Sequence, residues 1–320
     1  SRRHMDLLKI VKDKIIKFDG TDSKEGLEAV IHHIEIAERH FENGGKMDEY
    51  LYTDVIYRTN QAFEGALKEA FRSFSSNEPA KKTPAQIEKY LESNKVLKER
   101  VLEQFKNYRS EWRNKSTHDY KLFFSSQEAL LAIVSVSAFF SILLDEMLEK
   151  QAFETEVEDL KKHVSKITSQ LHNYNALDFH QQCLEIFTKF SAIEKREGGF
   201  DTDLSEFELR GRLSAFISSV DPEITVEIEK RINIGSSHAY IDMILRKGGN
   251  SIVVELKRPS KESRLLEMRA VQQITSYLAV TQLTDGIVYI PPYSKSSKVE
   301  VSNQVITNHG LKQSISVVRA

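Results

Sequence analysis

Three residues in the last third of the chain have the types and spacing for phosphodiester chemistry. Asp242 stands in Tyr-Ile-Asp-Met-Ile, and Glu255 and Lys257 stand in Val-Val-Glu-Leu-Lys-Arg. Both segments are otherwise apolar and rich in β-branched residues, which predicts strands. Strand alternation puts Glu255 and Lys257 on one face, two residues apart. Lys247-Gly248-Gly249-Asn250 lies between the segments as a hairpin turn, so the strand of Asp242 returns antiparallel beside that of Glu255. Charges in such apolar strands are costly to bury unless they are paired, hydrogen-bonded or bound to metal. Two carboxylates, Asp242 and Glu255, with a backbone carbonyl, waters and a phosphate oxygen would make an octahedral site for Mg²⁺ or Mn²⁺. Such an ion activates water and polarises phosphate, while Lys257 positions that water and neutralises developing charge.

These residues need a scaffold, and the neighbouring sequence predicts one. Residues 206–220 read as an amphipathic helix, followed by strands at 224–232, 239–245 and 251–257. A helix at about 262–280 and strands at 286–290 and 314–318 complete a small mixed α/β domain around a central sheet. On the second helix Gln273 and Tyr277 lie one turn apart. On the first, Glu206 and Arg210 share the same spacing, with Glu208 as a competing acid.

An Asp on one strand, Glu-x-Lys on the next and helices on either side resemble the PD-(D/E)xK nuclease superfamily. Gln273-Ile-Thr-Ser-Tyr277 is similar to the Gln-x-x-x-Tyr motif of its RecB-like and restriction-type members. Glu206-Phe-Glu-Leu-Arg210 resembles the Glu-x-x-x-Arg opening helix of related nucleases. Ile241 stands where the family name has proline. The resemblance covers about 115 residues and implies a catalytic set of Glu206, Asp242, Glu255, Lys257, Gln273 and Tyr277.

A second constellation, Arg113-Asn114-Lys-Ser-Thr-His118-Asp119-Tyr120, falls between two predicted helices. His118 has the chemistry of a general acid or base at a ribose 2′-hydroxyl or leaving oxygen. Arg113 suits a scissile phosphate, and Asn114 could orient either group. The alternative is that Arg113 and His118 pin a helix junction in an inactive bundle. Residues 81–121 hold eleven Lys or Arg against six Asp or Glu, a local basic surface in a chain whose net charge is -2. R-x4-H with a polar residue after the arginine and H-x-Y at its end, in an all-helical domain that closes on an apolar helix, resembles the HEPN superfamily. That resemblance implies a metal-independent endoribonuclease site at Arg113, Asn114, His118 and Tyr120, shared between two protomers of a homodimer. Tyr57, Arg58, Asn60 and Glu64 are polar candidates for the same cleft, and Trp112 reads as a core anchor.

Bulk composition fits this two-part scheme. At 320 residues with 40% hydrophobic and 29% charged residues, the chain can bury two cores. Helical periodicity covers 7–18, 27–41, 50–74, 87–108 and 129–148, with breaks at Asp19-Gly20, Asn43-Gly44-Gly45, 75–84 and Ser125-Ser126. Residues 154–193 read as a more polar connecting helix or short coiled coil. The predicted fold class is therefore α plus α/β: a helical bundle at 6–150, a helical connector at 151–199 and a mixed-sheet, restriction-endonuclease-like domain at 200–320.

Cys183 is the only cysteine, which excludes a disulfide framework or a cysteine-based zinc site within one chain and fits a reducing, cytoplasmic setting. The longest apolar run, 129–144, has 16 residues with three serines, short of the roughly 20 a membrane span needs. No membrane partner is expected. No nucleotide-binding loop is present, so any ATP-driven step would belong to another chain. The functional expectation is a metal-dependent nuclease acting on DNA or RNA, and the domain pairing implies, by resemblance, a role in phage defence or as a toxin. The alternatives are a HEPN endoribonuclease assisted by the C-terminal domain, and a dimeric sensor or binding module that gates the nuclease.

Overall fold

A computed structural model describes residues 6–94, 96–114, 123–171, 173–197, 204–258, 263–293, 298–308 and 310–320. The chain divides into two compact units, Ser1–Lys150 and Gln151–Ala320.

The first unit is helical throughout its described residues: α1 Leu7–Ile16, α2 Lys24–Gly44, α3 Leu51–Ser75, α4 Pro84–Ser93, α5 Glu99–Tyr108 and α6, which starts at Ser126 and runs to Leu160. Val30, Ile34, Phe63, Ala66, Phe105, Phe139 and Leu143 form its buried centre. The periodicity over 87–108 proves to be two helices. Thr83 caps α4 through a capping box with Gln86. α5 starts afresh because the Lys98 N–H is taken by the Glu146 carboxylate at 3.0 Å. Leu91, Leu97 and Val101 face the same core on both sides of that break, so the apolar spacing hides it.

α6 is longer than the apolar run suggests, at 35 residues. Ser125 and Glu128 cap its start, the Ser125 N–H donating to Glu128 Oε2 at 2.8 Å. By length and composition α6 is apolar enough to cross a membrane, yet 61% of its apolar window is buried inside the structure. That is the pattern of a bundle's core helix.

The second unit is a mixed six-stranded sheet with helices on both faces. Its strands are β1 Thr225–Ile234, β2 Ser237–Lys247, β3 Asn250–Leu256, β4 Asp285–Ile290, β5 Glu300–Asn308 and β6 Leu311–Arg319, in the order β1-β2-β3-β4-β6-β5. β1–β2, β2–β3 and β5–β6 pair antiparallel, while β3–β4 and β4–β6 run parallel. Gly248 and Gly249 make the β2–β3 turn with φ of 55° and 85°, values that glycine adopts freely and that suit a two-residue hairpin. β5 is the strand that sequence reading missed. It is an edge strand whose described side chains are mostly exposed, so no buried face marks it.

Residues 151–197 are not a free-standing connector. α7 (Val164–Ser169) and α8 (Phe179–Glu197) share one apolar cluster with α9 (Glu206–Val220) and one sheet face, through Phe187, Phe190, Phe216 and Tyr289. Arg212 of α9 fixes this layer by donating to Glu156 at 3.0 Å and to Glu194. His180 of α8 is tied to the sheet by Asp285 at 3.0 Å and by Ser316 at 2.7 Å. The short coiled coil expected over 154–193 does not form, because α6 ends at Leu160, α7 spans only Val164–Ser169 and α8 begins at Phe179, and Ile167, Cys183, Ile186, Phe187 and Phe190 pack into the core of the second unit.

The opposite sheet face is covered by α10 (Ser263–Thr281), through Ala270, Ile274, Tyr277 and Leu278. Gly286 of β4 lets this helix lie close, since a Cβ there would stand 2.8 Å from Ile274 Cδ1. Gly286→Val should overpack the contact and cost about 1–3 kcal/mol. A lowered urea midpoint with an unchanged slope is the expected readout.

Candidate active site

The site forms where the sheet ladder opens around Asp242. β2 and β3 pair from Lys247–Asn250 up to Met243–Val254, and their next residues are Asp242 and Glu255. β3 meanwhile continues along β4, with Leu256 opposite Tyr289. The Leu256 N–H, left without a β2 carbonyl, donates to Asp242 Oδ2 at 2.8 Å. A side chain thus replaces a missing ladder bond and fixes the carboxylate between the two strands.

The other side of β2 is also irregular. Glu229 of β1 lies opposite Asp242, between the pairs Ile228–Met243 and Lys230–Ile241. Its φ is 49°, a left-handed conformation that costs a non-glycine residue about 1–3 kcal/mol. Arg210 of α9, 1% exposed, donates to Glu229 Oε1 at 3.0 Å. Its guanidinium also lies 5.0 Å from the Phe207 ring centre.

Glu255 and Lys257 project toward α10. Lys257 Nζ donates to Glu255 Oε1 and, at 3.2 Å, to Gln273 Oε1. Gln273 Nε2 donates to Tyr277 Oη at 2.7 Å. The glutamine and tyrosine therefore form one chain of hydrogen bonds with the lysine. Glu255 is 1% exposed, and its Oε2 is buried without a hydrogen-bond partner. A buried carboxylate oxygen with an open lone pair is costly to leave unsatisfied.

Electrostatics converge on the same place. Burial, then the Glu206 charge, raises the pKa of Asp242 above the usual carboxylate range, with the Leu256 N–H and Arg210 pulling the other way. Burial and Asp242 raise Glu255, opposed by Lys257. For Lys257, burial favours the neutral amine, but Glu255 and Asp242 outweigh it and hold the ammonium charged. Two repelling, partly desolvated carboxylates are an arrangement that a divalent cation relieves. Among the described residues no group of three or more His, Cys, Asp or Glu is assembled as a metal cage. A site with two protein carboxylates, completed by water and substrate oxygens, is the one these residues fit, and Glu255 Oε2 is the acceptor that would bind.

Glu206 and Glu208 differ in what they touch. Glu208 Oε2 accepts from the Ser205 N–H at 2.8 Å, so it is committed to the start of α9. Glu206, half-buried, is the acid whose charge reaches Asp242, Glu255 and Lys257. All six residues expected at this site are thus linked by hydrogen bonds or charge. Glu229 was missed, because Glu227, Glu229 and Arg231 alternate like a solvated strand face and a left-handed backbone leaves no mark in sequence.

In the helical unit the second constellation is described only in part. Arg113 ends a π-helical turn, Arg109–Arg113, and Asn114 follows. His118 and Tyr120 lie outside the described residues. Arg113 stands 3.9 Å from Glu64 and 3.8 Å from Glu88, and 3.4 Å from Asn114 Oδ1. Of the polar candidates on α3, Glu64 thus approaches Arg113, while Asn60 accepts from Tyr108 Oη at 3.1 Å and Arg58 lies 3.5 Å from His33. Trp112 packs against the core, as expected of an anchor.

Comparison with protein-family models, curated proteins and solved structures returned no match to this chain.

Proposed function

We propose that the second unit is a divalent-metal-dependent nuclease of the PD-(D/E)xK type, with a restriction-endonuclease-like sheet. The observation that carries this reading is the opening of the β2–β3 ladder at Asp242 and Glu255, with the Lys257–Gln273–Tyr277 chain beside it. Asp242 and Glu255 would hold Mg²⁺ or Mn²⁺, with Glu206 adding negative charge at the rim. Once bound, the ion supplies electrophilic activation of the phosphate and a more acidic water. Lys257, kept charged by its carboxylate neighbours, orients the attacking water and offsets charge that builds on the phosphate oxygens. Gln273 fixes the ammonium in place, and Tyr277 fixes Gln273. Incubation with DNA and RNA panels in Mg²⁺, Mn²⁺ or EDTA tests the reading, and cleavage of DNA should require the divalent ion.

The first unit fits a HEPN-like bundle that joins two chains in a homodimer. Leu130, Leu131 and Val134 of α6 are 47%, 55% and 44% exposed on neighbouring turns, an apolar row suited to a two-fold contact. Light scattering at micromolar concentration should give twice the 36.8 kDa of one chain. Leu131→Glu with Val134→Glu should shift it to the single-chain mass, and a wild-type monomer would contradict the assignment.

A further inference from the structure

We infer that the buried Arg210–Glu229 pair is a positioning device for Asp242, acting through the backbone of β1. This rests on the reading of Asp242 as a metal ligand. In a regular antiparallel ladder Asp242 would pair with Glu229 on one side and Glu255 on the other, because both registers run up to it. Neither pair forms. On the β1 side the cause is visible: Glu229 has a φ of 49°, which turns its amide plane out of the ladder. A glutamate takes that conformation only where its surroundings enforce it. Arg210 provides the enforcement. It is 1% exposed, its guanidinium lies over Phe207, and it holds the Glu229 carboxylate at 3.0 Å in an ion pair that cannot be broken at this depth without cost.

The consequence runs from β1 into the site. Freed from strict pairing with β1, the backbone at Asp242 can tilt so that its carboxylate reaches the Leu256 N–H at 2.8 Å. That bond sets the side chain between β2 and β3, beside the open oxygen of Glu255. Arg210 and Glu229 touch neither substrate nor metal in this scheme. They set the geometry of a residue that does, as outer-shell partners of metal ligands commonly do.

The test separates the backbone effect from the charge of Arg210. Removing one partner alone would strand a buried charge and risk unfolding, so both are replaced. Arg210→Met with Glu229→Gln removes the pair at similar volume and keeps a residue that disfavours positive φ. Arg210→Met with Glu229→Gly removes the same pair but supplies a residue that adopts positive φ without cost. Mn²⁺ binding is measured from the free-ion electron paramagnetic resonance signal, with Asp242→Asn as the reference for a lost site. Hydrogen exchange of the Leu256 amide reports the Asp242 bond without metal.

The glutamine double variant should bind Mn²⁺ about tenfold or more weakly than wild type and exchange Leu256 faster. The glycine double variant should recover most of both losses. Equal weakness in the two double variants, or wild-type binding in the glutamine one, would overturn the positioning role while leaving the metal site standing. Wild-type protein that binds Mn²⁺ no better than Asp242→Asn would remove the metal-site reading itself.

Discussion

Lys257→Ala is expected to lower Mg²⁺-dependent cleavage by at least about a hundredfold while the protein stays folded. The lysine is the only cation that hydrogen-bonds Glu255 among the described contacts, and Gln273 holds it from the other side. Loss of the ammonium removes both the orientation of water and the charge that opposes the developing phosphate dianion. Stability should change little, for two reasons. Lys257 follows the last residue of β3, and its backbone bond to the Tyr289 carbonyl survives the substitution. Its removal also lets Glu255 take up a proton, a state that burial already favours. Lys257→Arg should rescue poorly, because a planar fork cannot replace a compact ammonium between Glu255 and Gln273. The check is a single-turnover rate in Mg²⁺ beside a thermal melt, and full activity in Lys257→Ala would remove the lysine from the mechanism.

RNA cleavage that persists in EDTA is expected to depend on the first unit alone. Attack by a ribose 2′-hydroxyl needs a base, an acid and a phosphate ligand, but no metal. Its products therefore carry a cyclic phosphate, and DNA is inert to it. His118→Ala and Arg113→Ala should each remove this activity by about a hundredfold or more, within the usual range for a general acid–base group. Both should leave Mg²⁺-dependent cleavage standing. Arg113 lies within 4 Å of Glu64 and Glu88, so a phosphate must compete with those carboxylates for the guanidinium. Glu88→Gln should accordingly strengthen RNA binding, a change that filter binding in EDTA would register. EDTA-resistant RNA cleavage that survives in His118→Ala would defeat this assignment. If wild-type protein cleaves no RNA in EDTA, Arg113 and His118 are structural residues of the helix junction.

Much of the second unit was legible because its signals are local. Val-Val-Glu-Leu-Lys breaks an apolar run with charges two residues apart, and only a strand puts those charges together. Gly248-Gly249 fixes the hairpin, and the hairpin fixes the partner strand. What was hidden has a physical reason in each case. β5 lacks a buried face. α8 buries Phe187 and Phe190 against Tyr289 of the sheet, a contact that its own polar-looking sequence does not announce. The split between α4 and α5 depends on Glu146, 48 residues away from the Lys98 N–H it accepts. Glu229 carries its information in a backbone angle, a φ of 49°, that leaves no mark in the residue types around it. Sequence places the carboxylates on neighbouring strands; it does not reveal that the ladder opens between them.

The most direct measurement is divalent-dependent cleavage of DNA and RNA by wild type and Asp242→Ala, run side by side at equal concentration. Asp242 is the residue at which the β1–β2 and β2–β3 ladders both lose their regular pairing, and its carboxylate takes the Leu256 N–H at 2.8 Å. Wild type is expected to cleave in Mg²⁺ or Mn²⁺, DNA cleavage should vanish in EDTA, and a folded Asp242→Ala protein should lose at least about a hundredfold of the divalent-dependent rate. Divalent-dependent cleavage by Asp242→Ala at the wild-type rate would contradict the assignment of the metal site.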